Sequence, residues 1–146
     1  MSNSIEDFLP ASSEIEVVKA IRKAEQNTSG EVRVHLEKTS KGNIDSRTLE
    51  VFNILKMYNT KLRNGVLIYV AVDDKSFAIY GDKGINTVVS DNFWNSTKDI
   101  IQNHFKSGNF KQGLVDGVLK AGEQLKHFFP RTDGDEDELT NTISKS

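Results

Sequence analysis

The chain has 146 residues, enough for one domain with a sizeable core, and its 19 basic and 21 acidic residues leave a formal charge of -2. A general phosphate-backbone binder would show a basic stripe and none is visible; the acidic excess is local, five acids against two bases from residue 130 onward. The lack of cysteine excludes disulfides, thiolate metal sites and cysteine nucleophiles.

Met1 to Phe8 offers neither a basic n-region nor an apolar h-region, and no later stretch is long enough to span a bilayer. The expectation is a cytoplasmic, monomeric protein that neither enters a membrane nor binds nucleic acid. Residues 1–11 read as an arm whose Phe8 and Leu9 pack back onto a domain at 12–130, followed by a disordered acidic tail at 131–146.

Ser13 and Glu16 form a capping-box pattern, and Ile15, Val18, Ile21 and Ala24 continue at helical spacing, predicting a first helix up to about Asn27 to Gly30. Glu31 to Glu37 then alternates polar with apolar, the pattern of a half-buried strand whose polar face carries Glu31, Arg33, His35 and Glu37. Asp45 or Ser46 is placed to cap a second helix with Leu49, Phe52, Leu55 and Tyr58 as its stripe, ending near Thr60.

Val66 to Val72 is the longest apolar run, rich in β-branched residues, and reads as a central strand covered on both faces. The strand–helix–strand order makes a right-handed crossover with the first two strands parallel. Asp73-Asp74-Lys75-Ser76 supplies turn chemistry and Phe77 to Tyr80 resumes an extended pattern, so the two runs form a hairpin. Ile85 to Ser90 reads as a short fourth strand or a loop.

Asp91 is positioned to cap a third helix that buries Phe93, Trp94, Thr97, Ile101 and Phe105, and a fourth helix runs from about Phe110 to Phe129, stopped by Pro130. The fold class is α/β: a three-layer α/β/α sandwich, a small mixed sheet of three to four strands flanked by four helices.

At four points the sequence carries a combination of motifs: Thr28-Ser-Gly30-Glu31, Arg63-Asn64-Gly65-Val-Leu-Ile, Tyr80-Gly81-Asp82-Lys83-Gly84-Ile85 and Val89-Ser90-Asp91. Together they resemble the TPM domain family, over roughly Ile15 to Pro130, and in particular its small soluble bacterial members. The resemblance implies an α/β/α sandwich, divalent cation binding by acidic loop residues and, in some members, acid phosphatase activity. Gly81-Asp82-Lys83-Gly84 stands where a Gly-aromatic-Gly turn is more usual in the family, which adds a carboxylate to the expected site.

The hairpin sorts candidate residues by sheet end. Glu31, Asn64, Asp82 and Asp91, with carbonyls around Gly81 and Gly84, are expected at the rim where the first two strands begin, as oxygen ligands for Ca²⁺ or Mg²⁺. Against that stands a bland reading in which Asp91 caps a helix, Asp82 and Asn64 make turns and Glu31 faces solvent. Asp73 and Asp74, at the far end, are turn formers or a second cation site.

Arg63 and Lys83 flank the acids and would meet a phosphoryl group if the chain were a weak metal-dependent acid phosphatase, although no Gly-Lys-Ser/Thr phosphate loop is present. His35, His104 and His127 form no metal-ligand spacing, and no Gly-x-Ser-x-Gly occurs. The first expectation is a cation-binding regulatory or interaction module whose partner is another protein, with the phosphatase as the alternative.

Overall fold

The computed structural model describes residues 4–132, 139 and 141–146. A mixed four-stranded sheet is ordered β3-β2-β1-β4, from β1 (Glu31–Glu37), β2 (Gly65–Ala71), β3 (Ser76–Gly81) and β4 (Ser144–Lys145). β1 and β2 are parallel with Glu31 opposite Gly65, and β2 and β3 form the antiparallel hairpin, Ala71 opposite Ser76. The helices are α1 (Ser4–Phe8), α2 (Ala11–Glu25), α3 (Ile44–Ile54), α4 (Lys83–Asn86), α5 (Asn95–Lys106) and α6 (Phe110–Lys126).

Strand alternation divides the core in two. Val32, Val34, Leu36, Val66, Ile68 and Val70 pack on one face against α1, α2, α5 and α6, while Leu67, Tyr69 and Ala71 pack on the other with Val51 and Phe52 of α3. The layers are thus uneven, three long helices against one. Glycines bring the helices of the thick layer close: a Cβ at Gly117 would lie 2.5 Å from Ile101 and one at Gly122 2.6 Å from Ala24. Those contacts offset the roughly 1 kcal/mol that each mid-helix glycine costs.

Several expected boundaries move, each for a local reason. Pro10, with φ of -59°, starts α2 at Ala11 and its carbonyl accepts from the Glu14 N–H, so the Ser13–Glu16 box lies inside the helix and caps nothing. Asn43, rather than Asp45 or Ser46, caps α3 through the Ser46 N–H at 2.9 Å. That helix ends at Ile54, and Lys56 turns left-handed at φ of 54°; Leu49 and Tyr58 are exposed, the buried stripe being Thr48, Val51 and Phe52.

Residues 85–90 form no strand, because Asp82 caps the single turn of α4 instead. Asp91 caps nothing either, since it sits in an exposed turn and α5 begins four residues later at Asn95. Ile15, on the apolar stripe expected of the first helix, is exposed, as is Phe128 near the end expected for the fourth.

Both ends of the described chain join the core. Phe8 stacks on Phe110 with ring centroids 4.3 Å apart and Leu9 is buried. The tail read as disordered instead contributes Ile143 to the core and β4 to the sheet, Ser144 opposite His35 and Lys145 opposite Leu36. Its acidic run, Asp133 to Glu138, lies outside the described residues. Among the described residues no helix is long and apolar enough to cross a membrane.

Candidate functional site

Parallel pairing of β1 with β2 sets both strand starts on one rim, and β3 returns Gly81 and Asp82 to it. There the loop before β2 is pinned from two sides. Arg63 holds a left-handed conformation at φ of 51°, its carbonyl accepts from the Gly84 N–H at 2.9 Å, and the Asn64 N–H donates to Thr60 Oγ1. Only glycine fits at 84: a Cβ would stand 2.1 Å from the Leu62 carbonyl oxygen and 2.6 Å from that of Arg63.

Asp82 is 2 % exposed and fully engaged. Its Oδ2 accepts from Arg63 Nε at 2.7 Å, and its Oδ1 from Arg63 Nη2 at 3.0 Å and from the Lys83 N–H at 2.8 Å. A carboxylate this buried needs such a partner, and the two-toothed guanidinium fork supplies it. The same hydrogen bonding raises the pKa of Arg63. The guanidinium expected to meet a phosphate is therefore committed to Asp82, and the exposed Lys83 enters the rim through its backbone.

Next in the chain after Arg63, Asn64 is 1 % exposed; its Nδ2 donates to Ser29 Oγ at 3.3 Å and its carbonyl accepts from the Glu31 N–H. Asn64 Oδ1 is buried with no hydrogen-bond partner among the described residues. Glu31, read in the bland alternative as facing solvent, is buried, and its Oε1 accepts from the Leu139 N–H at 2.6 Å.

Among the described residues no three His, Asp or Glu side chains converge closely enough to hold a metal ion, so exposed Asp91 does not complete a three-carboxylate set with Glu31 and Asp82. At the hairpin turn Asp73 and Asp74 are exposed; the Asp73 N–H donates to the Lys38 carbonyl and Asp74 Oδ2 lies 3.5 Å from Thr39 Oγ1. Those are turn contacts, and among the described residues no third acid joins them.

The TPM domain profile matches residues 3–124, most of the chain. The chain belongs to the TPM domain family. It is similar to the BA42 protein of the psychrophilic bacterium Bizionia argentinensis, known from NMR, with 64 % identity over 100 % of both chains and a TM-score of 0.92. The N-terminal domain of a P. gingivalis protein shares the fold at 22 % identity, with a TM-score of 0.69 over 84 % of this chain and 79 % of that one. So does the N-terminal domain of cg2496 from Corynebacterium glutamicum, at 10 % identity and a TM-score of 0.60, over 90 % and 80 % of the two chains. No curated protein matches.

In this TPM chain the opposite end of the sheet holds a polar network that sequence reasoning missed. Glu37 accepts from Arg47 Nε at 2.9 Å, from Arg47 Nη2, from the Tyr69 hydroxyl and from Ser146 Oγ at 3.1 Å. His35 stacks on Tyr69, and its Nδ1 and Nε2 lie 2.8 and 2.6 Å from the hydroxyls of Ser144 and Ser146. The Arg47 hydrogen bonds, helped by those of Tyr69 and Ser146, hold Glu37 down at about 2, whereas desolvation lowers His35 to about 4. Burial and the bond to Glu37 raise Tyr69. At neutral pH the network is an anionic carboxylate, a neutral imidazole and a protonated phenol. One signal was available: a tyrosine in the longest apolar run, in register with a histidine on the polar side of β1.

Proposed function

We propose that this TPM domain is a regulatory or protein-interaction module that takes a hard divalent cation, Ca²⁺ or Mg²⁺, at the rim where β1 and β2 begin. The observation that carries the reading is Asn64 Oδ1, a buried oxygen with no donor among the described residues, on the residue that follows the Arg63 whose guanidinium holds Asp82. An unsatisfied buried acceptor is costly, about 1 to 3 kcal/mol, and a bound ion is one standard remedy.

The donor set fits a sparsely ligated ion. Asp82 and Asn64, with Glu31 and backbone carbonyls nearby, offer one or two carboxylates and neutral oxygens, the composition with which Mg²⁺ commonly binds while keeping water. A bound cation would supply positive charge at Asp82 in addition to, or in place of, the Arg63 fork. Arg63 is 35 % exposed on its side chain, so it reaches Asp82 from the solvent side and is the group best placed to report occupancy to a partner. Asp91 and the pair Asp73 and Asp74 remain outer candidates, to be separated by the same experiment.

Titration of CaCl₂ and MgCl₂ into the full chain, followed by amide NMR, tests this. Saturable shifts at Ser29 to Glu31, Arg63 to Gly65 and Asp82 to Gly84 are expected, abolished in Asp82→Asn. A cation at a hundredfold excess over its Kd would also raise stability by about 2.7 kcal/mol relative to EDTA. Unchanged melting and no saturable shift at these residues would remove the cation from the function. Shifts confined to Asp73 and Asp74 would move it to the hairpin turn.

A further inference from the structure

β3 is an edge of the sheet, and among the described residues no other strand pairs with its outer side. The Asp82 N–H donates to the Gly65 carbonyl at 2.9 Å, so ladder alternation turns Tyr80, Ala78 and Ser76 toward β2 and leaves the N–H and C=O of Phe77 and Ile79 facing outward. Asn86 Nδ2 reaches the Gly81 carbonyl from that outer side at 3.1 Å, in keeping with the same alternation. Alongside runs a groove of about 640 Å³ between β3 and α5, floored by Phe77, Ile79 and Phe105.

Three lysines border it, Lys75 at the start of β3 and Lys98 and Lys106 on α5, with Asp45 the one acid in the lining. None of the three ammonium groups is ion-paired among the described residues. Exposed sheet edges are normally blunted by bulges, proline, charged side chains or a covering segment; among the described residues this edge carries lysine, which repels a second copy of the same edge while attracting an acidic strand.

We infer that the β3 edge is a docking site for an extended acidic segment of a partner protein, added to the sheet as a further strand. Its backbone pairs with Phe77 and Ile79, its acidic side chains on the α5 side reach Lys98 and Lys106, and its aliphatic stems cover the apolar floor. Main-chain pairing gives affinity and the lysines give selectivity for charge. A nucleic acid or a lipid headgroup would use the lysines but leave the outward amides and the floor unsatisfied. The inference does not rest on cation binding at the rim.

The test uses the full chain in EDTA and a capped peptide of about eight residues alternating glutamate and valine, the length of an ordinary strand with its flanks. Saturable amide shifts are expected along β3 and α5, with hydrogen-exchange protection appearing at Phe77 and Ile79. Exchanging the glutamates for lysines should abolish binding, and Lys98→Glu with Lys106→Glu, both on exposed positions, should weaken it about tenfold or more. Ile79→Pro removes one outward N–H without touching the β2 ladder and should also weaken binding. Absence of shifts at millimolar peptide would overturn the proposal, as would an unchanged Kd in the charge-reversed chain. So would equal binding of a single-stranded oligonucleotide that leaves Phe77 and Ile79 unprotected, since attraction by lysine alone would then explain the data.

Discussion

Asp82 at one end of the sheet and Glu37 at the other are both nearly excluded from water, 2 % and 8 % exposed, and each is held by an arginine fork. Their surroundings differ. Asp82 answers to Arg63 and one backbone N–H, and the deficit on the same rim is an oxygen with no donor among the described residues, Asn64 Oδ1. Glu37 answers to an arginine, a phenol and a serine at once, next to a histidine whose two ring nitrogens are both occupied. A satisfied network reads as architecture and an unsatisfied rim reads as a site. That is why the function is assigned to the rim even though the far end holds more polar groups.

The largest effect expected from any single change separates rim geometry from rim chemistry. Gly84→Ala places a methyl against two backbone carbonyls that cannot yield without moving the Arg63 turn, and a loss on the order of 4 kcal/mol in urea denaturation is expected. Glu37→Gln should cost about 3 kcal/mol, since it removes the charge that offsets Arg47 and sets an amide NH₂ against donors of a buried network that includes the Tyr69 hydroxyl. Asp82→Asn should cost about half as much, because Arg63, 35 % exposed on its side chain, can turn to water. Equal losses at Glu37 and Asp82 would erase the distinction drawn between the two ends.

Acid should act on the network end in two stages. His35 is lowered from 6.5 to about 4, chiefly by desolvation, with Arg47 and Arg33 adding to the effect and Glu37 opposing it, so the unfolded chain binds the extra proton between those values. Its contribution is complete above pH 6.5 and is lost as pH falls toward 4, with an upper bound of about 3 kcal/mol. Glu37, lowered from 4.5 to about 2 chiefly by Arg47, keeps its contribution down to pH 4.5 and loses it as pH falls through 2. Urea midpoints measured from pH 7 to 4.5 should fall in the native chain and flatten in His35→Gln. A parallel fall in both would assign the acid sensitivity elsewhere.

The three long strands were legible because their signals are local: alternation in Glu31 to Glu37, an apolar run in β2, a turn before Phe77. From them the hairpin and the rim followed, and with them the grouping of Glu31, Asn64, Arg63 and Asp82. β4 was illegible, because Ser144 and Lys145 become a strand only through pairing with His35 and Leu36, more than a hundred residues earlier. The polar side of β1 was misread for the same reason, since α3 and β4 cover side chains whose alternation implied water. Helix starts failed where two capping candidates lay within a turn of each other, as Asn43 did with Asp45, and the choice rested on backbone angles.

The smallest expected effect concerns Asp91, and it bears on how the rim is bounded. Had Asp91 capped α5, replacing it with alanine would cost about 1 kcal/mol, the usual loss of a side-chain cap. Its exposed position four residues ahead of the helix predicts a change within about 0.5 kcal/mol, the range for surface substitutions. The same Asp91→Ala chain should keep the cation shifts at Asn64 and Asp82, because no three acids of the described residues meet there. If stability holds but the cation response disappears, Asp91 reaches the ion from outside the rim. The site would then span the turn before α5 as well as the two strand starts.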